Sequence, residues 1–296
     1  GPGLLEPVVD ANGRLNAAAW AVVEPGGPAA TEVLRGVEYM EAPFDADDTF
    51  AAFFVDAGLS TAGVRVAAVA PAGDGVALTA PEHGLDAGDV VLLTGMDGCP
   101  ALEGGEFAVA AVDGDAVTLE GALPEAAGGY AGGGLLWRRV RALGGLEHLA
   151  GREVTILADG AVHPPRVVDA SGGITLERGA YRVHAGLAYA STLSPMRLEA
   201  GSSRGTAQTK KKRITEVAVR LYRTLGGSVG AGDGCMEAMR FRTSAQAMDR
   251  PPELFTGDKR VKFPRGWDQA GRLVIRQDQP LPMTVLLVVP EVVVNE

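Results

Sequence analysis

The residues whose types could carry chemistry are few and scattered. His83, His148, His163 and His184 stand at no HxH or HExxH spacing, so no metal pattern emerges. Each is expected to serve in a turn or in packing. Ser60, Ser171 and Ser194 lie outside any GxSxG elbow. Cys99 and Cys235 form no CxxC pair, and unpaired thiols are expected, compatible with a reducing cytosol. Asp45, Asp47 and Asp48 suit helix capping or solvation better than cation binding. Asp233, in Gly230-Ala-Gly-Asp-Gly, lacks the alternating oxygen ligands of a calcium loop. The glycine-rich stretches 128–134 and 226–234 lack the GxxxxGK[ST] phosphate loop. No catalytic, metal or cofactor constellation is therefore expected, and an enzyme is not. The sharpest charge feature is Lys210-Lys211-Lys212-Arg213, with Arg204 upstream. Three readings stay open for it: a subunit interface, a solvated loop leading into a strand, or contact with DNA phosphates.

Composition bounds what these residues can belong to. At 296 residues the chain is long enough for about two domains. Hydrophobic residues at 46% and charged residues at 22% argue against a wholly disordered chain. The 41 glycines, about twice the usual share, fit a protein of many tight turns. No apolar stretch reaches the ~18 residues of a membrane helix. Gly1-Pro2-Gly3 lacks the regions of a signal peptide and is compatible with a tag-cleavage scar on a fragment. A net charge of −10 makes a generic basic nucleic-acid binder a poor reading.

Strand signals dominate. In 214–222, Thr215, Val217, Val219 and Leu221 share an apolar face, opposite Ile214, Glu216, Ala218, Arg220 and Tyr222. Val154-Thr-Ile-Leu-Ala158 followed by Asp159-Gly160 predicts a hairpin. Further strands are expected at 173–177, 272–277 and 283–289. From 64 to 139, short strands at 76–79, 89–94, 106–112 and 116–120 alternate with Asp-Gly turns, which favours a small barrel. Another strand is expected over 135–140. The segment 45–58, carrying Phe50, Phe53 and Phe54, reads equally as helix or strand. Trp20–Val23 and Glu32–Arg35 are expected to form a hairpin around Gly26-Gly27. Phe263-Pro-Arg-Gly-Trp267 is expected to be a turn packed in the core.

A set of segments then resembles a known family. It comprises Phe53-Phe-Val-Asp-Ala-Gly-Leu-Ser, the stretch from Gly145-Leu-Glu-His-Leu through Val162-His-Pro, Gly186-Leu-Ala-Tyr and Gly205-Thr-Ala-Gln-Thr-Lys-Lys-Lys-Arg-Ile. Val219-Arg-Leu-Tyr-Arg-Thr-Leu-Gly-Gly, Leu254-Phe-Thr-Gly-Asp, Phe263-Pro-Arg-Gly-Trp and Gln277-Asp-Gln-Pro-Leu-Pro-Met-Thr-Val-Leu complete it. In that order they resemble the C-terminal part of the tail tubular, or nozzle, proteins of short-tailed bacteriophages and prophages, also called packaged-DNA stabilisation proteins. The likeness spans about 37–70 and 140–296. Between them, Val76-Ala-Leu-Thr-Ala-Pro-Glu-His-Gly-Leu-Asp-Ala-Gly-Asp-Val-Val resembles the FCCH-type small β-barrel first named in ubiquitin-activating enzymes and found inserted in phage tail proteins. No adenylation motif or catalytic cysteine accompanies it.

The resemblance implies a mainly β protein: a sandwich-like host domain from 1–70 plus 139–296, with a small β-barrel inserted at 71–138. It implies a virion structural protein, assembled in the host cytoplasm. Its copies would form a ring, a hexamer in the virion, below the portal or adaptor and above distal tail proteins. DNA would pass through without specific binding. Arg204, Lys210, Lys211, Lys212 and Arg213, on their charge alone, are the candidates for an interface. The alternative is a tail accessory module whose barrel binds a host receptor or carbohydrate, which predicts exposed aromatics among Phe107, Tyr130 and Trp137.

Overall fold

The computed structural model describes residues 44–295 except 74, 200, 203–204, 207–208, 233, 245 and 248–249, together with the strands Val8–Val9 and Leu15–Asn16. The chain divides into two units, Gly1–Asp45 and Ala46–Glu296. In the first, Val8–Val9 and Leu15–Asn16 pair antiparallel. The hairpin expected from Trp20 to Arg35 lies outside the described residues, as does Asp74 of the expected Asp74-Gly75 turn. The second unit is mainly β, built of antiparallel sheets around three apolar cores.

The first core belongs to a seven-stranded sheet ordered Val64–Arg65, Gly132–Arg138, Val90–Asp97, Glu106–Asp113, Ala116–Leu119, Gly75–Thr79, Ala68–Ala72. Its two outermost strands are consecutive pieces of one segment. Val66 N donates to Gly134 O at 3.0 Å, and Ala67 N donates to Thr79 O at 2.7 Å. One stretch of chain thus seals both edges, and the sheet closes on itself with no free edge. Leu78, Val91, Leu93, Val117, Leu119 and Leu136 fill the interior, each the inward residue of its strand. The closing segment starts at Val64, so position 71 falls inside a barrel strand rather than at a boundary.

The remaining sequence builds two cores where a single host domain was expected. One lies between the sheet Ala161–Val167, Glu153–Ala158, Val183–Leu187, Asp56–Ser60 and the pair Val140–Leu143 with Ile174–Ala180. The other lies between Ser191–Leu193, Val274–Gln277, Ser228–Gly232, Cys235–Ala238 and the long-stranded sheet Phe255–Lys262, Lys212–Thr224, Thr284–Val294. Both are sandwich-like arrangements.

Local chemistry explains several details. Asp159 and Gly160, at φ of 50° and 74°, make the two-residue turn joining Glu153–Ala158 to Ala161–Val167. Pro164 and Pro165 lack ladder donors, and the register slips opposite them, between Val154 and Ile156. A second slip, between Ile214 and Glu216, corrects the alternation read from sequence: Ile214 is carried into the core with Val217, Val219 and Leu221. Residues 47–51 form a turn, with Phe50 N donating to Asp48 Oδ1 at 3.0 Å, so 45–58 holds no helix and its strand begins only at Asp56. Trp267 is 48% exposed, which overturns its expected core position.

Gly160 sits where a Cβ would lie 2.4 Å from Thr49 Oγ1 and 2.9 Å from the Thr49 carbonyl carbon. With its positive φ as well, Gly160→Ala is expected to cost about 1–3 kcal/mol, read as a fall in the chemical-denaturation midpoint. An alanine variant as stable as the parent would mean that the turn does not hold this conformation.

Candidate functional site

The basic run straddles the start of a strand: Lys212 and Arg213 open Lys212–Thr224, and Lys210 and Lys211 lie in the loop before it. Lys212 pairs through its backbone with Asp268, N–H to O in both directions at 2.7 and 2.8 Å, and faces Val294 on its other side. Strand alternation then separates the side chains. Lys211 and Arg213 point to solvent, Lys210 is half-buried, and Lys212 is only 2% exposed. The Lys212 stem packs against Gly271, and its Nζ reaches Gln269 O at 3.5 Å. The four residues therefore do not form one solvent-facing patch: Lys210 and Lys211 lie in the loop leading into the strand, while Lys212 is buried. Arg204 lies outside the described residues.

All four histidines act as tethers. His83 accepts from Leu85 N at Nδ1 (2.9 Å) and donates from Nε2 to Gly114 O (3.0 Å), pinning the 81–86 loop to the 113–115 turn. His148 Nε2 donates to Ala57 O at 2.7 Å. His163 donates from Nδ1 to Pro164 O and accepts Glu177 N at Nε2, at 2.7 and 3.0 Å. These partners fix each ring's tautomer.

His184 belongs to a junction the sequence gave no reason to expect. It is the cross-strand neighbour of Ser60, whose Oγ donates to His184 Nδ1 at 2.5 Å. Phe53 lies against the imidazole, ring centroids 6.5 Å apart. Two residues earlier, just before the strand Val183–Leu187, the Arg182 guanidinium covers both Trp137 at 5.0 Å and Phe50 at 5.5 Å. Phe50 meets Trp137 edge-on at 5.4 Å. Trp137 comes from the barrel, where its Nε1 donates to Thr94 Oγ1 at 2.9 Å. Gly63 leaves it room, since a Cβ there would lie 2.8 Å from the indole. Asp159 Oδ1 accepts the backbone N–H groups of Tyr181 and Arg182 at 2.9 and 2.8 Å. Burial nevertheless raises the Asp159 carboxyl above its usual range. Burial, and then the nearby Glu106 carboxylate, push the Tyr181 phenol upward.

A Ser–His pair invites comparison with nucleophilic catalysis, which needs a carboxylate orienting the base from its far nitrogen. Here Nε2 is buried without a well-formed hydrogen bond, and Asp159 is occupied by two backbone donors. The pair is a cross-strand lock at the barrel–sandwich junction. Of the cysteines, Cys99 is buried and Cys235 exposed, both unpaired. Among the described residues no cluster of three or more His, Cys, Asp or Glu could hold a metal ion, and no helix is long and apolar enough to cross a membrane.

One open groove of about 340 Å³ runs beside the edge strand Ser191–Leu193, lined by Phe54, Tyr189, Gln277, Leu281, Met283 and Val285 among others. The barrel aromatics are not displayed to solvent: Trp137 is 4% exposed beneath Phe50 and Arg182, Phe107 packs on the barrel core, and Tyr130 OH donates to Gly133 O at 2.7 Å. No protein-family model and no curated protein matches the chain.

Two expectations follow. Burial, reinforced by Arg182, lowers the His184 pKa to about 4. Between that value and the unfolded ~6.5, the unfolded state holds a proton the folded state lacks, so stability falls as pH falls through this window, by up to about 3 kcal/mol. Urea unfolding at pH 7.5, 5.5 and 4.5 reads the slope, and His184→Gln should flatten it. Lys212→Met, which keeps the stem and drops the charge, should stay within about 1 kcal/mol of the parent, while Lys212→Ala should cost about 1–3 kcal/mol. Equal losses in both would instead assign the ammonium the structural role.

Proposed function

We propose that the chain is a structural component of a short-tailed phage or prophage tail, a tail tube or nozzle subunit that assembles as a ring below the portal or adaptor and lines part of the DNA passage. The observation that carries this reading is where the family-like segments fall. Phe53–Ser60, Gly145–Pro164 and Gly186–Tyr189 are far apart in sequence, yet their strands are neighbours in one sheet. Val219–Gly227, Leu254–Asp258 and Gln277–Leu286 likewise contribute mutually paired strands to the C-terminal sandwich. A chance set of short likenesses has no reason to fall on sheet partners. The barrel follows the first sheet's strand ending at Ser60, and the chain re-enters the sandwich at Val140, in the pair facing that sheet, so the barrel is accommodated without breaking those pairings.

Exposed apolar side chains on the long edge strand suit assembly. A chain of net charge −10 suits a conduit through which DNA slides without adhering, by like-charge repulsion. The covered barrel aromatics weigh against the receptor or carbohydrate reading. The virion tail, built in the bacterial cytoplasm, is the compartment this function requires.

Electron microscopy of particles carrying a labelled copy tests the proposal. Label in a ring around the DNA path below the portal is the expected result. Label at distal fibres alone would favour receptor binding, and particles without the chain would reject the virion assignment.

A further inference from the structure

The net charge of −10 is unevenly distributed. The barrel segment 64–138 carries eleven Asp and Glu against two Arg and no Lys, whereas 209–296 carries fifteen Lys and Arg against ten Asp and Glu. All five lysines lie between 210 and 262. Four of the barrel's eleven acids gather at one end. The His83–Gly114 hydrogen bond, and Ala80 N donating to Asp115 O at 2.8 Å, bring Glu82 and Asp86 beside Asp113 and Asp115, all four exposed. Among the described residues none of the four has an ion pair, while Arg138 is committed to Asp89 at 3.2 Å. Val112 and Pro81, both exposed, put apolar atoms among these charges.

The C-terminal sheet offers the complement. Apart from Glu291 opposite Glu216, Thr284–Val294 is largely apolar on both faces, the pattern of a strand covered on both. Val285, Val288 and Val292 pack on the core, but Leu286, Leu287, Val289 and Val293 remain 45–60% exposed. Pro290 within this edge strand works against its extension by another strand, which leaves the outer face for contact. At the Val293 end, Arg213 is its cross-strand partner and Lys211 O accepts Asn295 N, with Lys211 and Arg213 both exposed. Lys262 stands opposite Glu216 on the same face. Arg220 and Arg260 are already held, by Asp258 at 2.7 and 2.9 Å and by Glu216 at 3.4 Å.

We propose that this face receives the acidic barrel end of a second copy of the chain, its apolar strip covered by the partner and Lys211, Arg213 and Lys262 meeting Glu82, Asp86, Asp113 and Asp115. The contact is head-to-tail: each copy presents one donor end and one acceptor face, and such contacts propagate until a ring closes. It rests on the ring reading above only for that closure. A DNA phosphate backbone fits the face less well. It would leave the leucine and valine strip uncovered and would find Arg220 and Arg260 engaged.

Sedimentation velocity of the full chain, at low and high salt, provides the test. Self-association that weakens with salt is expected. Lys211→Glu with Arg213→Glu should weaken it at least about tenfold, as should Asp113→Lys with Asp115→Lys, and an equimolar mixture of the two variants should recover it. Leu287→Asp should abolish it at unchanged melting temperature. No self-association, or association that responds to Leu287→Asp but not to the barrel charges, would overturn the proposal. So would duplex DNA binding that depends on Lys211 and Arg213 in a chain that stays monomeric. A labelled ring in particles whose formation ignores the charge swap would leave the tail reading standing and remove this contact.

Discussion

The burial of Trp137 is the interaction on which the arrangement of the second unit depends. This side chain belongs to a barrel strand but finishes its packing outside the barrel, against Phe50 and beneath Arg182. Its hydrogen bond to Thr94 fixes the indole plane from the barrel side. Gly63 clears the approach from the linking side, where any larger residue would meet the ring. A barrel inserted through two short connections would otherwise be free to swing. A buried aromatic with a cation over its face and a second ring at its edge contributes a few kcal/mol against such motion.

The junction also explains the titrations. Arg182 is needed over the aromatic rings, and its charge lies close to His184, so the imidazole is held neutral by burial and by this neighbour. A neutral imidazole can accept the Ser60 hydroxyl proton at Nδ1, and that bond joins the last sandwich strand before the insertion to the strand that Arg182 directly precedes. Asp159 uses one oxygen to fix the Tyr181 and Arg182 backbone at the start of that strand. The residues with the most perturbed protonation are thus the ones that join the barrel to the sandwich.

What the sequence made legible was local. Short strand runs between Asp-Gly turns located the barrel strands, period-two alternation located the long Lys212–Thr224 strand, and Asp159-Gly160 marked its hairpin because only residues tolerant of positive φ fit there. What it left hidden was set by distant partners. The register slip that turns Ile214 inward depends on where Val292 and Glu291 lie, 76 or more positions away. Phe50 looked like a helix residue because its spacing to Phe54 is helical, yet its ring is claimed by Trp137. Trp267 looked like core because tryptophan usually is, but the Asp268–Lys212 bridge anchors the backbone beside it and leaves the indole outside. Lys212 read as one charge of four, and only the strand's alternation separates it from Lys211 and Arg213. The two cores of the host region could not be separated by composition, since both are rich in Val, Leu and Ala.

Fold stability alone does not account for the last strand. Val285, Val288 and Val292 already seal the C-terminal core, so Leu286, Leu287, Val289 and Val293 add nothing to it from the opposite face. Left in water, they expose apolar side chains along an edge strand, interrupted by Glu291, an arrangement that promotes uncontrolled association unless something specific covers it. Charges around such a strip decide which partner is admitted, because like charges at the rim penalise every wrong pairing while opposite charges steer the right one. The segregation of acid to the barrel and base to the C-terminal sheet supplies that selection within a single chain. Barrel against barrel repels, basic corner against basic corner repels, and barrel against basic corner attracts. A chain with this distribution is biased toward head-to-tail order before any detailed contact is made.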